Sequence, residues 1–271
     1  MFLLPAASQT QRLVILQTSD THSRIEPVAP TAADANAGMG GTVRRATFLK
    51  QFRQEHPAVL LFDCGDISQG TPYYNIFRGE LEVKMMNLMK YDAMTIGNHE
   101  FDFGLDNMAR LFRMAEFPVV CANYDVSGTV LEGLVKPYVV LERFGLRIGV
   151  FGLSPRLQGL VASANCKGIT YNDPVETARR VAALLKEEEG CDVVVCLSHL
   201  GARLSDEADG MDDERLIAAT KDIDVVLGGH THTFMEKPML YRNVEGREVP
   251  LLHSGKNGVY VGRIDLDVVQ K

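Results

Sequence analysis

The stretch Thr95–Ile96–Gly97–Asn98–His99–Glu100–Phe101–Asp102–Phe103–Gly104 decides how this chain is read. A short apolar strand, Ala93 to Ile96, runs into a glycine and presents Asn98 and His99 back to back. A carboxylate follows three residues later at Asp102. An amide, an imidazole and a carboxylate on one tight turn suit work on a charged group. Taken alone, the same turn is an ordinary polar loop between a strand and a helix. The other strand ends separate the two readings.

Working outward, four more buried strands end in polar groups. Leu13 to Gln17 runs into Thr18–Ser19–Asp20–Thr21–His22, and Ala58 to Phe62 delivers Asp63–Cys64–Gly65–Asp66. Asp192 to Leu197 ends in Ser198–His199, and Val225 to Leu227 in Gly228–Gly229–His230–Thr231–His232. These runs are continuously apolar rather than alternating, the pattern of strands covered on both faces. Helices fall between them. Thr42 is the expected N-cap of one that buries Phe48, Leu49 and Phe52, and Leu81, Met85 and Leu88 form the stripe of the next. Leu105 to Phe117 turns Met108, Leu111, Phe112 and Ala115 to a core. Asp173–Pro174–Val175–Glu176 is a helix start with N-cap, first-turn proline and box glutamate, followed by Ala178, Val181, Ala182 and Leu185 on one face. Glu214 to Lys221 is the last helix.

Tyr138 to Leu153 reads as a hairpin around Arg143–Phe144–Gly145. Met239–Tyr241, Val249–Leu252 and Val259–Val268 are strand-like. The alternation of strands and helices predicts an α/β fold. With no internal repeat or linker, residues 13–271 read as one domain. Residues 1–12 read as a leader: Met1 to Ser8 resembles the tail of a signal peptide without its basic start, so a periplasmic or exported location is expected, with the cytoplasm as the alternative.

The bulk numbers narrow the function. The 271 residues are 46% hydrophobic and 23% charged, an ordinary globular composition. The formal charge of −7 argues against nonspecific binding to nucleic acid. No apolar run approaches the ~20 residues of a membrane span. The five cysteines form no C-x-x-C pair, which predicts neither a disulfide framework nor a cysteine metal site.

Ligands bind where loops leave the carboxyl ends of parallel strands, so Asp20, His22, Asp66, Asn98, His199, His230 and His232 are expected to converge on one edge. Five of the seven histidines lie in these loops; His56 and His253 are assigned no role. An Asp-x-His or a Gly-Asp alone is more often a turn, but five such pieces, each directly after an apolar strand, point to metal. Three oxygen donors and four imidazoles exceed the set one open catalytic ion takes, so two divalent ions are expected. A shared carboxylate gives the ~3.5–4 Å spacing of two-metal hydrolases. The mixed donor set suits Zn, Mn, Fe or Co and disfavours Ca.

These motifs, in this order, resemble the calcineurin-like metallophosphoesterases. Gln69–Gly70–Thr71–Pro72, Asn98 to Gly104, Leu197 to Gly201, Gly228 to Thr233 and Ser254 to Arg263 are similar to the 5′-nucleotidase/UDP-sugar hydrolase branch, from Leu13 onward. The resemblance implies a four-layer αββα sandwich of two mixed β-sheets. It implies one metal on Asp20, His22, Asp66 and His232 and a second on Asp66, Asn98, His199 and His230, with Asp66 bridging. A hydroxide shared by the metals would attack the phosphate ester in line. His99 would stabilise the charge developing in the transition state, and Asp102 would orient its ring.

The expected activity is that of a 5′-nucleotidase-type phosphomonoesterase acting on a small phosphate ester of nucleotide type. The alternatives are a hydrolase of cyclic nucleotide phosphodiesters or sulfur-linked sulfate, and a non-catalytic metal- or nucleotide-binding module. The branch carries a C-terminal nucleotide-binding domain beyond the point where this sequence ends at Lys271. Three readings stay open: a separately encoded partner supplies that domain, the enzyme is a less selective phosphatase, or the sequence is part of a longer chain.

Overall fold

The computed structural model describes residues 10–204 and 210–269. In chain order, β1 (Thr10–Thr18) leads to α1 (Thr42–Glu55), β2 (Leu60–Asp63), α2 (Pro72–Phe77), α3 (Glu80–Met89) and β3 (Ala93–Thr95). A 3-10 turn at His99–Phe101 precedes α4 (Gly104–Met114), β4 (Val119–Val120), β5 (Tyr124–Asp125) and β6 (Val135–Lys136). The hairpin β7 (Tyr138–Arg143) and β8 (Leu146–Leu153) follows, then β9 (Thr170–Tyr171), α5 (Pro174–Glu187), β10 (Val193–Ser198) and α6 (Asp213–Ala219). The last elements are β11 (Val225–Gly228), β12 (Met239–Arg242), β13 (Glu248–His253) and β14 (Gly262–Val269).

Two six-stranded sheets carry the fold, in the orders β14-β1-β2-β3-β4-β6 and β12-β13-β11-β10-β8-β7. Both are mixed. Their inner strands are parallel, while β14 runs antiparallel to β1, β12 to β13 and β7 to β8. Side-chain alternation explains the unbroken apolar runs. Leu13 and Ile15 of β1 point into the layer between the sheets, where Phe62, Val150, Val195 and Leu227 meet them. Val14 and Leu16 point outward to Leu49, Val83, Met86, Met108 and Leu111 on α1, α3 and α4. The far face of the second sheet is covered in the same way by Ala178, Val181 and Leu185 of α5 and by Leu216 and Ile217 of α6. The result is the expected four-layer αββα sandwich. Each large apolar side chain sealed in these layers contributes about 1.5–3 kcal/mol relative to exposure.

Several local expectations are corrected. β1 begins at Thr10, because Thr10, Gln11 and Arg12 continue its pairing with Val269, Val268 and Asp267 of β14. The remainder of the expected leader, residues 1–9, lies outside the described residues. Thr42 is the first residue of α1 rather than its cap; Gly41 holds the cap position at φ 94° and no side chain caps the helix. Phe48 is 41% exposed, leaving Leu49 as the buried anchor of α1. On α3 the buried face is Val83, Met86 and Met89, and Leu88 is 77% exposed. This helix is apolar on more than one side, so periodicity alone chose the wrong stripe. The Asp173 cap holds: its carboxylate accepts the Glu176 N–H at 2.8 Å. The final strand starts at Gly262 rather than Val259, and α2 was not anticipated.

Candidate metal centre

The carboxyl ends of β1, β2 and β3 in one sheet and of β10 and β11 in the other open on a common edge, and the loops there carry the predicted ligands. Their backbones are bent hard. Asp20 (φ 50°), His22 (46°), Asp66 (56°), His230 (75°) and His232 (54°) all occupy the left-handed region. For non-glycine residues this costs on the order of 1 kcal/mol or more each and marks functional turns. Three bonds tie the first two loops side by side: Asp20 N–H to Gly65 O at 2.9 Å, His22 N–H to Asp66 O at 3.0 Å and Ser23 N–H to Ile67 O at 2.8 Å.

The side chains form two groups. Asp20, His22 and His232 bring their ligand atoms within 4.8 Å of one another, and so do Asp66, His199 and His230. The groups adjoin, since Asp20 Oδ1 lies 4.0 Å from His199 Nε2. Asp66 stands in the second group, with Oδ2 3.1 Å from His199 Nε2, while its Oδ1 accepts the His99 N–H at 2.9 Å. Gly97 makes that position reachable: a Cβ there would lie 2.1 Å from Asp66 Oδ1.

Two imidazoles are oriented by backbone carbonyls. His199 Nδ1 is 2.6 Å from Cys64 O and His22 Nδ1 is 3.2 Å from Ser68 O. Donation there points each Nε2 into the site, where a bound cation would take the place of a proton, the arrangement by which proteins prepare a histidine for metal. His22 Nε2 and His232 Nε2 approach to 2.9 Å. Asn98 Oδ1 is buried without a hydrogen-bond partner, and His199 Nε2, also without one of hydrogen-bond geometry, faces the Asp66 carboxylate at 3.1 Å. Buried polar atoms are rarely left so, and both belong to the predicted set. Orphaned donors, converging carboxylates and imidazoles, and strained ligand backbones together fit a pair of divalent cations.

The electrostatics agree. Burial opposes a charge on His199, but the carboxylates of Asp66 and Asp20 outweigh it and raise its pKa to about 10. Burial and then the neighbouring His199 push His230 down to about 4. Burial would raise Asp66, yet His199, His22 and His99 hold it below the usual carboxylate range. Negative oxygens and a demand for positive charge meet at the same point.

Beside the two groups, His99 Nδ1 lies 3.0 Å from Asp102 Oδ2, with both side chains about one third exposed at 32% and 34%. The His99 ring is 5.4 Å from that of His22. The bond to Asp102, offset in part by burial, raises the His99 pKa. Two contributors were not anticipated. The buried Glu100 carboxylate accepts the N–H of Gly97 at 2.6 Å, of Asp66 at 2.9 Å and of Ser68 at 3.3 Å, clamping the β2 and β3 loops together. Its signal in the sequence was a carboxylate between His99 and Phe101, turned inward when His99 faces out. Behind the other pair of loops, buried Asp213 accepts from Ser198 Oγ and lies 2.7 Å from His253 Nε2. No local motif announces that pairing across 40 residues.

The four-layer fold with this edge defines a candidate metal centre of hydrolase type, and the chain belongs to the calcineurin-like phosphoesterase family, whose sequence profile matches residues 13–234. It is 31% identical to the snake venom 5′-nucleotidase of Crotalus adamanteus over 97% of this chain and 46% of that protein. The crystal structure of a 5′-nucleotidase precursor from Thermus thermophilus superposes with a TM-score of 0.85 at 30% identity, covering 96% of this chain and 53% of the other. A calcineurin-like phosphoesterase from Bacillus subtilis gives 0.78 at 28% identity, covering 97% and 87%. The chain spans about half the length of the venom relatives it matches, 46–50%. Among the described residues no helix is long and apolar enough to cross a membrane.

Proposed function

We propose that residues 13–271 form the metal-bearing catalytic domain of a 5′-nucleotidase-type hydrolase that acts on nucleotide-like phosphomonoesters. One observation carries this: two adjoining ligand groups and the His99–Asp102 pair share a single sheet edge. In this reading Asp20, His22, Asp66 and His232 hold one divalent ion. Asp66, Asn98, His199 and His230 hold the second, and Asp66 serves both. Two such ions, when bound, act as Lewis acids on phosphoryl oxygens and lower the pKa of water.

The protein's own groups do the rest. The carbonyls of Cys64 and Ser68 fix the His199 and His22 rings. His99 donates a charged hydrogen bond to phosphoryl or leaving-group oxygen, and Asp102 keeps its ring turned and its pKa raised. Relatives about twice as long support a further nucleotide-binding domain, in the same chain or a separate one, that adds selectivity, and the protein works after export. The test is phosphate release from nucleoside monophosphates, UDP-sugars, cyclic nucleotides and an aryl phosphate, after loading with Zn, Mn, Fe or Co. Release from the monophosphates is expected. No release from any ester under any metal would sink the proposal.

A further inference from the structure

Beside the metal centre lies a cleft of about 490 Å³, lined by Pro155, Tyr171, Leu200, Leu204, Met211 and His230, among others. That volume is in the range of small-molecule sites. It begins at the centre itself, because His230 belongs to the second ligand group and Leu200 directly follows His199. Tyr171 is also a wall of an adjoining hollow of about 690 Å³ on the same loop. The loop also reaches the turn that carries His99, where Asn165 Nδ2 donates to Asp102 O at 3.0 Å. The segment Pro155–Tyr171 thus follows the rim from His230 to the turn that carries His99.

We propose that this cleft is a leaving-group subsite, in which Tyr171, Leu204 and Met211 receive the nucleoside part of the substrate. The inference rests on the hydrolase reading above, and it assigns part of nucleoside recognition to this domain rather than to a partner. The lining fits a flat, largely apolar group with polar edges. Tyr171 offers an aromatic ring, and the Arg156 guanidinium packs over it at 5.6 Å. Leucine and methionine side chains supply apolar walls, and the amide of Gln158 at the margin suits the edge of a base. An ester whose phosphate sits between His230 and His99 has this loop as the nearest wall for what it releases.

The test uses two variants of the 271-residue chain. Met211→Trp fills the cleft and Tyr171→Ala removes its ring. Neither residue belongs to the metal or His99 sets, and thermal melts would confirm that both variants fold. Steady-state kinetics compare nucleoside monophosphates with glycerol phosphate, which is too small to reach the walls. Calorimetry measures adenosine and uridine binding without added metal. Expected are a kcat/KM for the nucleotides lowered about tenfold through KM, glycerol phosphate unchanged within about twofold, and nucleoside binding weakened about tenfold, the loss of one aromatic contact. Unchanged nucleoside affinity and nucleotide KM in both variants would overturn the subsite, as would equal losses on both esters. Cleft-dependent nucleoside binding by a chain that hydrolyses no ester would uphold the subsite and defeat the hydrolase reading.

Discussion

Glu100 is the residue whose replacement has the most calculable effect. Its buried carboxylate is the shared acceptor of three backbone N–H groups, from Gly97, Asp66 and Ser68. Both of the closer donors reach Oε2 and the third reaches Oε1. In Glu100→Gln a carbonyl in the Oε2 position keeps two bonds, while the amide NH2 meets the Ser68 N–H, so the loss is about 1–3 kcal/mol. Glu100→Ala strands all three donors away from water at about 1–3 kcal/mol each, and partial relaxation brings the sum to about 3–6 kcal/mol. Urea unfolding followed by circular dichroism, with metal chelated, would read the two losses directly. The same loops carry Asp66 and Asn98, so metal affinity should fall in the same order, alanine below glutamine below wild type. An alanine variant within about 1 kcal/mol of wild type would refute the clamp.

Other outcomes follow from single contacts. His99→Ala should lower turnover by about 10²–10⁴-fold while metal content, measured by elemental analysis, stays near wild type. Loss of the metals would mean that His99 is a ligand instead. Burial raises the Asp63 pKa to about 7. A carboxyl whose folded pKa is raised stabilises the protonated fold, and that contribution fades as pH rises from its unfolded value through about 7. Wild type should therefore lose roughly 3 kcal/mol more than Asp63→Asn between about pH 5 and pH 8, measured by urea unfolding across that range. Parallel curves would show Asp63 ionised throughout. A Cβ on Gly228 would sit 2.0 Å from His253 Nε2 and 2.4 Å from Asp213 Oδ2. Gly228→Ala should cost about 3 kcal/mol or more, as a large drop in melting temperature, and a neutral result would discount the Asp213–His253 pair as a rigid support.

The fold was legible because its inner strands are covered on both faces. Runs such as Leu60–Leu61–Phe62 and Val193 to Leu197 declare a sandwiched sheet without help from tertiary contacts. The candidate ligand loops stood out because each follows such a strand directly. What stayed hidden depends on contacts remote in sequence. The buried side of α3 is chosen by what lies over it, not by its own period. Thr42 failed as a cap because Gly41 takes the cap position at φ 94°. Glu100 is one of several polar residues on its turn and His253 ends an apolar run, and neither position states a role. Only the folded loops reveal that one gathers three amides and the other meets Asp213.

Metal stoichiometry tests the central claim most directly. Equilibrium dialysis against Mn, with wild type and Asp66→Asn side by side, should give two ions per wild-type chain. The variant should bind at most one, because the shared carboxylate is weakened on both sides, and its phosphate release should fall with the metal. One ion or none in wild type, or two ions retained without Asp66, would contradict the account.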